Sequence, residues 1–292
     1  MKRNESYLQN AVKELKQEAK RVRLGAYVMI ALLVGVLALS FLKNYMLTLG
    51  ALAVVLFLQI FVFKRQQKRY KNHLQQANLL AGIGALLRTE ELDEKGGAGL
   101  SAETVRAAEL LPFHDKGNAV NFYLGMSGSY EKLKVTVADA SIAEYFSGSK
   151  NRAMVNCGNW THIELPYDTG MNWRLLDTET VPEAMRREFF GQLPGMQKIA
   201  AEDWKLPEGM LVYGTEPEGK RPSDAFVAQL RKLKVYTPGK LAVSIHGNQA
   251  DVYVRNRFLG SRYRANTEPT EELLEKVSYP ELEKILKLIM LL

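Results

Sequence analysis

Uncharged, largely apolar positions run without a break through Leu24–Leu42 and again through Tyr45–Phe63, with only Lys43 and Asn44 between the two runs. Each run is 19 residues long and contains no Asp, Glu, Lys, Arg or His. At 1.5 Å per residue, a helix of that length reaches roughly 28 Å, close to the thickness of a bilayer's hydrocarbon core. Two such helices joined by a two-residue polar turn predict a transmembrane helical hairpin over residues 24–63. Outside the runs the pattern turns amphipathic. Leu8, Val12, Leu15, Ala19 and Val22 recur at three- and four-residue spacings before the first run, and Tyr70, Leu74, Ala77 and Ala81 do so after the second. Both helices are therefore expected to continue past the membrane, over residues 1–23 and 64–94. Their stripes are expected to pair as a short antiparallel stalk rather than lie separately on the headgroups.

Further along, Gly82-Ile83-Gly84 predicts a kink or a helix end, and the glycine-rich stretch Lys95–Gly99 predicts a linker over residues 95–100. The texture then becomes mixed. Ser101 is placed to cap a helix over Ala102–Leu111, stopped by Pro112. Strands are expected at Phe122–Gly125, Leu133–Val137, Trp160–Leu165, Trp173–Leu176 and Met210–Tyr213, several alternating apolar and polar residues. Leu241–Ile245 and Ala250–Val254 flank a Gly-Asn turn and predict a β-hairpin. Helices are expected at Pro182–Phe190, at Ser223–Leu233 with Ser223 as cap, at Glu268–Lys276, and at Pro280–Leu292. In the last, Pro280 suits the first helical position and Glu281 and Glu283 suit the first turn. Strands and helices do not alternate regularly, so residues 101–292 read as an α+β domain with a largely antiparallel sheet.

Charge orients this layout. Residues 1–71 hold 13 of the 39 Lys and Arg but 3 of the 32 Asp and Glu, a net of +10, which leaves −3 for residues 72–292. Basic residues crowd both outer flanks of the hairpin while its turn offers Lys43 alone, so both termini are expected in the cytoplasm of an inner-membrane protein. A cleaved signal peptide would use Ala38-Leu39-Ser40, but its basic region would be 23 residues long and the second run would still anchor the chain. Nucleic-acid binding needs a basic face on the soluble part, which is mildly acidic, so none is expected. The lipid bilayer is the expected partner, together with a membrane protein or a second copy of the chain. The single cysteine, Cys157, excludes an internal disulfide and multi-cysteine metal motifs.

The close span pair with basic outer flanks, the soluble region after it, and the hairpin Leu241–Val254 give a layout that resembles uncharacterised bacterial membrane proteins, domains of unknown function with two N-terminal spans and a cytosolic α+β region. The resemblance implies a membrane-anchored cytosolic domain and carries over no activity and no functional residues.

Candidate chemistry is sparse. Lys95–Ser101 lacks the Gly-Lys-Ser/Thr ending of a phosphate-binding loop, and Gly82-Ile83-Gly84 lacks the third glycine of a dinucleotide fingerprint. His73, His114, His162 and His246 show no helical zinc spacing, so neither a metal nor a cofactor is expected. His114-Asp115 is read as a solvated loop, and Gly-x-Ser-x-Gly is absent. Cys157 and His162 invite a thiolate–imidazole reading, but residues five apart on a strand point to opposite faces. Cys157, His162, Glu164 and Asp168 are the residues at which catalysis or ligand binding would first be sought. The C-terminal run is expected to dock Leu282, Ile285, Leu286 and Ile289 on the domain, with Leu288, Leu291 and Leu292 broadening the apolar surface.

The functional reading is an integral inner-membrane protein that presents its α+β domain for protein interaction or complex assembly. The alternative is a membrane-tethered enzyme or small-ligand sensor at the cytosolic face. A transporter is disfavoured, because two spans without ionisable residues line no polar path.

Overall fold

The structure is a computed structural model and describes residues 2–42, 45–89, 92–93, 97–111, 119–143, 155–179, 196–215, 221–237, 241–259, 263–264, 266–275 and 277–292. The turn residues Lys43 and Asn44, the pair His114-Asp115 and the expected helix over Pro182–Phe190 lie outside these residues. In chain order the helices are α1 (Lys2–Phe41), α2 (Tyr45–Phe57), α3 (Lys64–Leu79), α4 (Ala85–Leu87), α5 (Ala102–Ala107), α6 (Asp224–Tyr236), α7 (Glu271–Glu275) and α8 (Pro280–Ile289). The strands are β1 (Ala119–Tyr130), β2 (Leu133–Ala143), β3 (Val155–Glu164), β4 (Asn172–Asp177), β5 (Gln197–Lys198), β6 (Met210–Gly214), β7 (Leu241–His246) and β8 (Gln249–Val254). The fold is mixed α+β, and it divides into a helical unit (residues 1–82 with 261–277) and a sheet unit (residues 83–260 with 278–292).

Among the described residues, two helices are long and apolar enough to cross a membrane: Gln9–Phe41, and the rod Tyr45–Leu87 in which π-helical turns at Leu58–Phe63 and Leu80–Gly84 join α2, α3 and α4. The second π turn contains Gly82 and Gly84, so the expected kink is a widened turn within a continuing helix. Val12, Leu15, Ala19 and Val22 of α1 are buried in one cluster with Tyr70, Leu74 and Ala77 of α3. Each amphipathic stripe thus hides its apolar face against the other. The helical unit also recruits the chain far downstream: Leu274 of α7 is buried in this cluster, and the Tyr70 hydroxyl donates to the Thr267 carbonyl. Helix α7 is shorter than the expected Glu268–Lys276, because the Thr270 hydroxyl accepts the Leu273 amide and starts the helix after itself.

In the sheet unit the eight described strands form one antiparallel sheet in the order β1-β2-β3-β8-β7-β4-β6-β5. Strands β7 and β8 meet at Gly247-Asn248, where Gly247 takes the left-handed φ of 58° that the tight turn requires. The Ser101 and Ser223 hydroxyls accept the Thr104 and Phe226 amides and cap α5 and α6, each at 3.1 Å. Helix α5 ends at Ala107, four residues before the expected Leu111. Glu109 turns left-handed (φ 51°), which releases Leu110 and Leu111 to full burial. They join Leu100, Val105, Ala138, Trp160 and Tyr253 in the core on one face of the sheet.

The opposite face carries Val137, Ile163, Val243, Ile245, Leu175 and Val212, all buried. Asp177 projects on that side and pairs with Lys234 at 3.3 Å, which places α6 there. Helix α8 packs on α6, and Gln229 donates to the Lys284 carbonyl at 3.2 Å. In α8 Leu282, Ile285, Leu286, Leu288 and Ile289 are buried, while Leu291 is exposed. Residues 97–99, expected within a linker, form a 3₁₀ turn with Gly97 buried, and a Cβ on Gly125 would fall 2.5 Å from the Gly97 carbonyl carbon. Glycine at 125 lets the two backbones touch.

Candidate functional site: a buried polar row across the sheet

Residues paired across antiparallel strands point to the same face. One such row reads Ser127, Thr136, His162, Asp251, Ser244, Arg174, Tyr213 and Lys198, from β1 to β5. It lies on the Trp160 face, beside the apolar core. Its centre is buried: Ser244 is 0%, Asp251 1% and Arg174 2% exposed.

Each buried charge has partners, as its desolvation demands. Asp251 Oδ1 accepts the indole N–H of Trp160 at 2.7 Å and Nδ1–H of His162 at 2.9 Å. Arg174 donates to Glu109 Oε2 at 2.7 Å, to Asn172 Oδ1 at 2.8 Å and to the Trp173 carbonyl at 3.1 Å. The left-handed backbone at Glu109 belongs to this arrangement, since it occurs where the chain leaves α5 and reaches Arg174. Ser244 sits between the charged groups and approaches His246 Nδ1 at 3.3 Å, while His246 Nε2 meets Gln249 Oε1 at 3.0 Å. That pattern fits a neutral His246, with the proton on Nε2 and the Ser244 hydroxyl donating to Nδ1.

The two histidines of this face are driven apart. Burial opposes charge on His162, but the hydrogen bond and charge of Asp251, aided by Glu164, outweigh it and raise its pKa above 6.5. Burial and the nearby Arg174 guanidinium lower that of His246 below 6.5. His162 binds a proton more tightly folded than unfolded, so its stabilisation is complete below pH 6.5 and is lost as pH rises through the folded-state value. His246 does the reverse: its contribution is complete above pH 6.5 and is lost as pH falls through its lower folded-state value. The stability that this pair contributes is therefore greatest between the two folded-state values and declines on both sides. In denaturant titrations of the full chain across roughly pH 5–8, His162→Gln removes the alkaline decline and His246→Gln the acid decline. Flanks unchanged in both variants would refute the assignment.

The four residues marked from the sequence are not brought together. Cys157 is exposed and lies opposite Ser141 on the other face of β3 from His162. Glu164 pairs with Lys134 at 3.0 Å on the surface, and Asp168 accepts the Gly170 amide at 2.8 Å in the loop after β3. His162 alone belongs to the row. The His162 imidazole is held by Asp251 at 2.9 Å, and among the described residues no hydroxyl or thiol is hydrogen-bonded to it. No three His, Cys, Asp or Glu side chains among the described residues form a metal-binding group. Asp251, Arg174 and Glu109 were missed at the sequence level. The available signal was a single charge inside strands that are otherwise apolar, Ala250-Asp251-Val252 and Trp173-Arg174-Leu175.

No protein-family model matches the chain, and no curated protein matches it. Among solved structures it is similar to the crystal structure of the mycobacterial trehalose monomycolate transport factor A, TtfA, with a TM-score of 0.35 and 8% identity, covering 75% of this chain and 96% of that one. A likeness of that size carries no argument about activity.

Proposed function

We propose that the chain is an inner-membrane protein anchored by Leu24–Leu42 and Tyr45–Phe63, with both ends in the cytoplasm, and that it presents its sheet unit for protein interaction or complex assembly. The observation that carries the membrane reading is where the apolar surface lies. Of the 26 exposed large hydrophobic residues described, 20 fall between Leu24 and Val62, among them Leu24 (64%), Tyr27 (69%), Leu37 (61%) and Phe61 (59%). Water does not tolerate a continuous apolar surface of that extent, whereas lipid does. The interaction reading is supported by the sheet unit's chemistry: buried Arg174 and Asp251 are engaged by neighbouring side chains of the polar row, and Cys157, His162, Glu164 and Asp168 are dispersed.

Three measurements test the proposal. The protein resists alkaline carbonate extraction, a reporter fused after Leu292 is active on the cytoplasmic side, and mild-detergent purification recovers a reproducible partner or a second copy. Carbonate release or an outward-facing reporter overturns the anchor, and failure to recover any partner overturns the interaction reading. The second reading, a tethered small-ligand sensor, draws on the half-buried His162 held by Asp251. A ligand of that kind stabilises the wild-type sheet unit and not the His162→Gln variant.

A further inference from the structure

Where α1 and the α2–α3 rod run side by side, a groove of about 300 Å³ opens between them. Its walls are Leu24, Val28 and Leu32 on one helix and Leu58, Val62 and Phe63 on the other, the last three within the π turn. A π turn carries an extra residue and locally widens the helix, a feature frequent at functional sites. Gly25 lets the helices close at one point, since a Cβ there would lie 3.1 Å from the Phe63 ring. Arg21 and Gln66 stand at the polar end of the groove and also line a smaller cavity of about 120 Å³, with Glu18 and Arg69. The apolar slot thus leads directly into a charged recess.

The recess holds two complementary requirements. Among the described residues, Arg21 and Arg69 form no ion pair with a carboxylate. Glu18 Oε1 accepts from His73 Nδ1 at 2.8 Å, while its Oε2 is buried with no hydrogen-bond partner. A buried carboxylate oxygen without a donor is costly, and a donor supplied from outside the chain would relieve it. Arg21 and Arg69 flank the apolar runs by a few residues, the level at which phosphate groups lie.

The geometry points to a bound phospholipid with an ethanolamine headgroup: an acyl chain in the groove, its phosphate on Arg21 and Arg69, and its ammonium on Glu18 Oε2. This rests on the membrane reading above and deepens it. A choline headgroup satisfies the arginines equally but has no N–H to give Glu18.

Native mass spectrometry of the full chain in detergent, with phosphatidylethanolamine or phosphatidylcholine added, tests it. The wild type retains one phosphatidylethanolamine at least about tenfold more than phosphatidylcholine, as a hydrogen bond to a charged group implies. Glu18→Gln brings the two lipids level, and Arg21→Gln with Arg69→Gln lowers retention of both. Arg21 and Arg69 are exposed and Glu18 is partly exposed, and co-elution with wild type on gel filtration verifies each variant's fold. Equal retention of the two lipids by the wild type, or retention unchanged in the variants, overturns the inference. A carbonate-resistant protein with either result loses this site alone, whereas a carbonate-soluble protein loses the anchor as well.

Discussion

Asp251→Ala lowers the stability of the sheet unit by about 3–5 kcal/mol, the usual cost of removing one partner from a buried charged network. The carboxylate is 1% exposed and is the acceptor for both the Trp160 indole and His162. Its loss leaves a buried N–H of Trp160 without a partner and takes a compensating negative charge from the neighbourhood of buried Arg174. Asp251→Asn costs less, because an amide oxygen still accepts from the indole. The chain's three tryptophans, Trp160, Trp173 and Trp204, all lie in the sheet unit, so tryptophan fluorescence in a denaturant titration of the full protein in detergent follows that unit alone. A transition midpoint within error of wild type would show that the polar row is not a structural element. Coupling is expected as well: in an Asp251→Ala, His162→Ala double variant the losses are less than additive, since the two side chains share one hydrogen bond.

Arginine placed at Val54 and Phe57, at and near the middle of the second apolar run, abolishes insertion of that helix. Each arginine at a span centre opposes insertion by about 2.5–3.5 kcal/mol. Both positions are more than half exposed in the helical unit, so no protein contact shelters the added charge. With one span left, a reporter after Leu292 moves to the opposite side of the membrane, while leucine at the same positions leaves it in place. An unchanged reporter in the double-arginine variant would mean that Tyr45–Phe63 does not cross the bilayer.

Much of the architecture was legible because it is written locally. A strand face repeats every two residues and a helix face every three or four, so Leu133–Val137, Trp160–Leu165 and the Leu241–Val254 hairpin stood out from their own residues. Ser101 and Ser223 announced helix starts for the same reason, since an N-cap acts on an amide three residues away. Helix ends were less legible. The left-handed Glu109 shortens α5 to serve a partner, Arg174, that lies 65 residues further on.

The candidate site was less legible still. Cys157, His162, Glu164 and Asp168 are near one another in sequence, and proximity along an extended strand disperses side chains between two faces. The groups that do converge, Glu109, His162, Arg174, Ser244 and Asp251, span 142 residues and meet because β3, β8, β7 and β4 are adjacent in the sheet.

The residues themselves determined two helices of membrane-spanning length and apolarity, their amphipathic continuations, and an antiparallel α+β region after them, because each depends on periodicity within a short window. Tertiary structure alone decided that Thr267 and Leu274 return to the α1–α3 pair, that the strand order brings β8 beside β3, and that one buried polar row crosses the sheet. Those outcomes follow from which distant surfaces bury each other's apolar area and satisfy each other's charges, and no local pattern encodes a partner a hundred residues away.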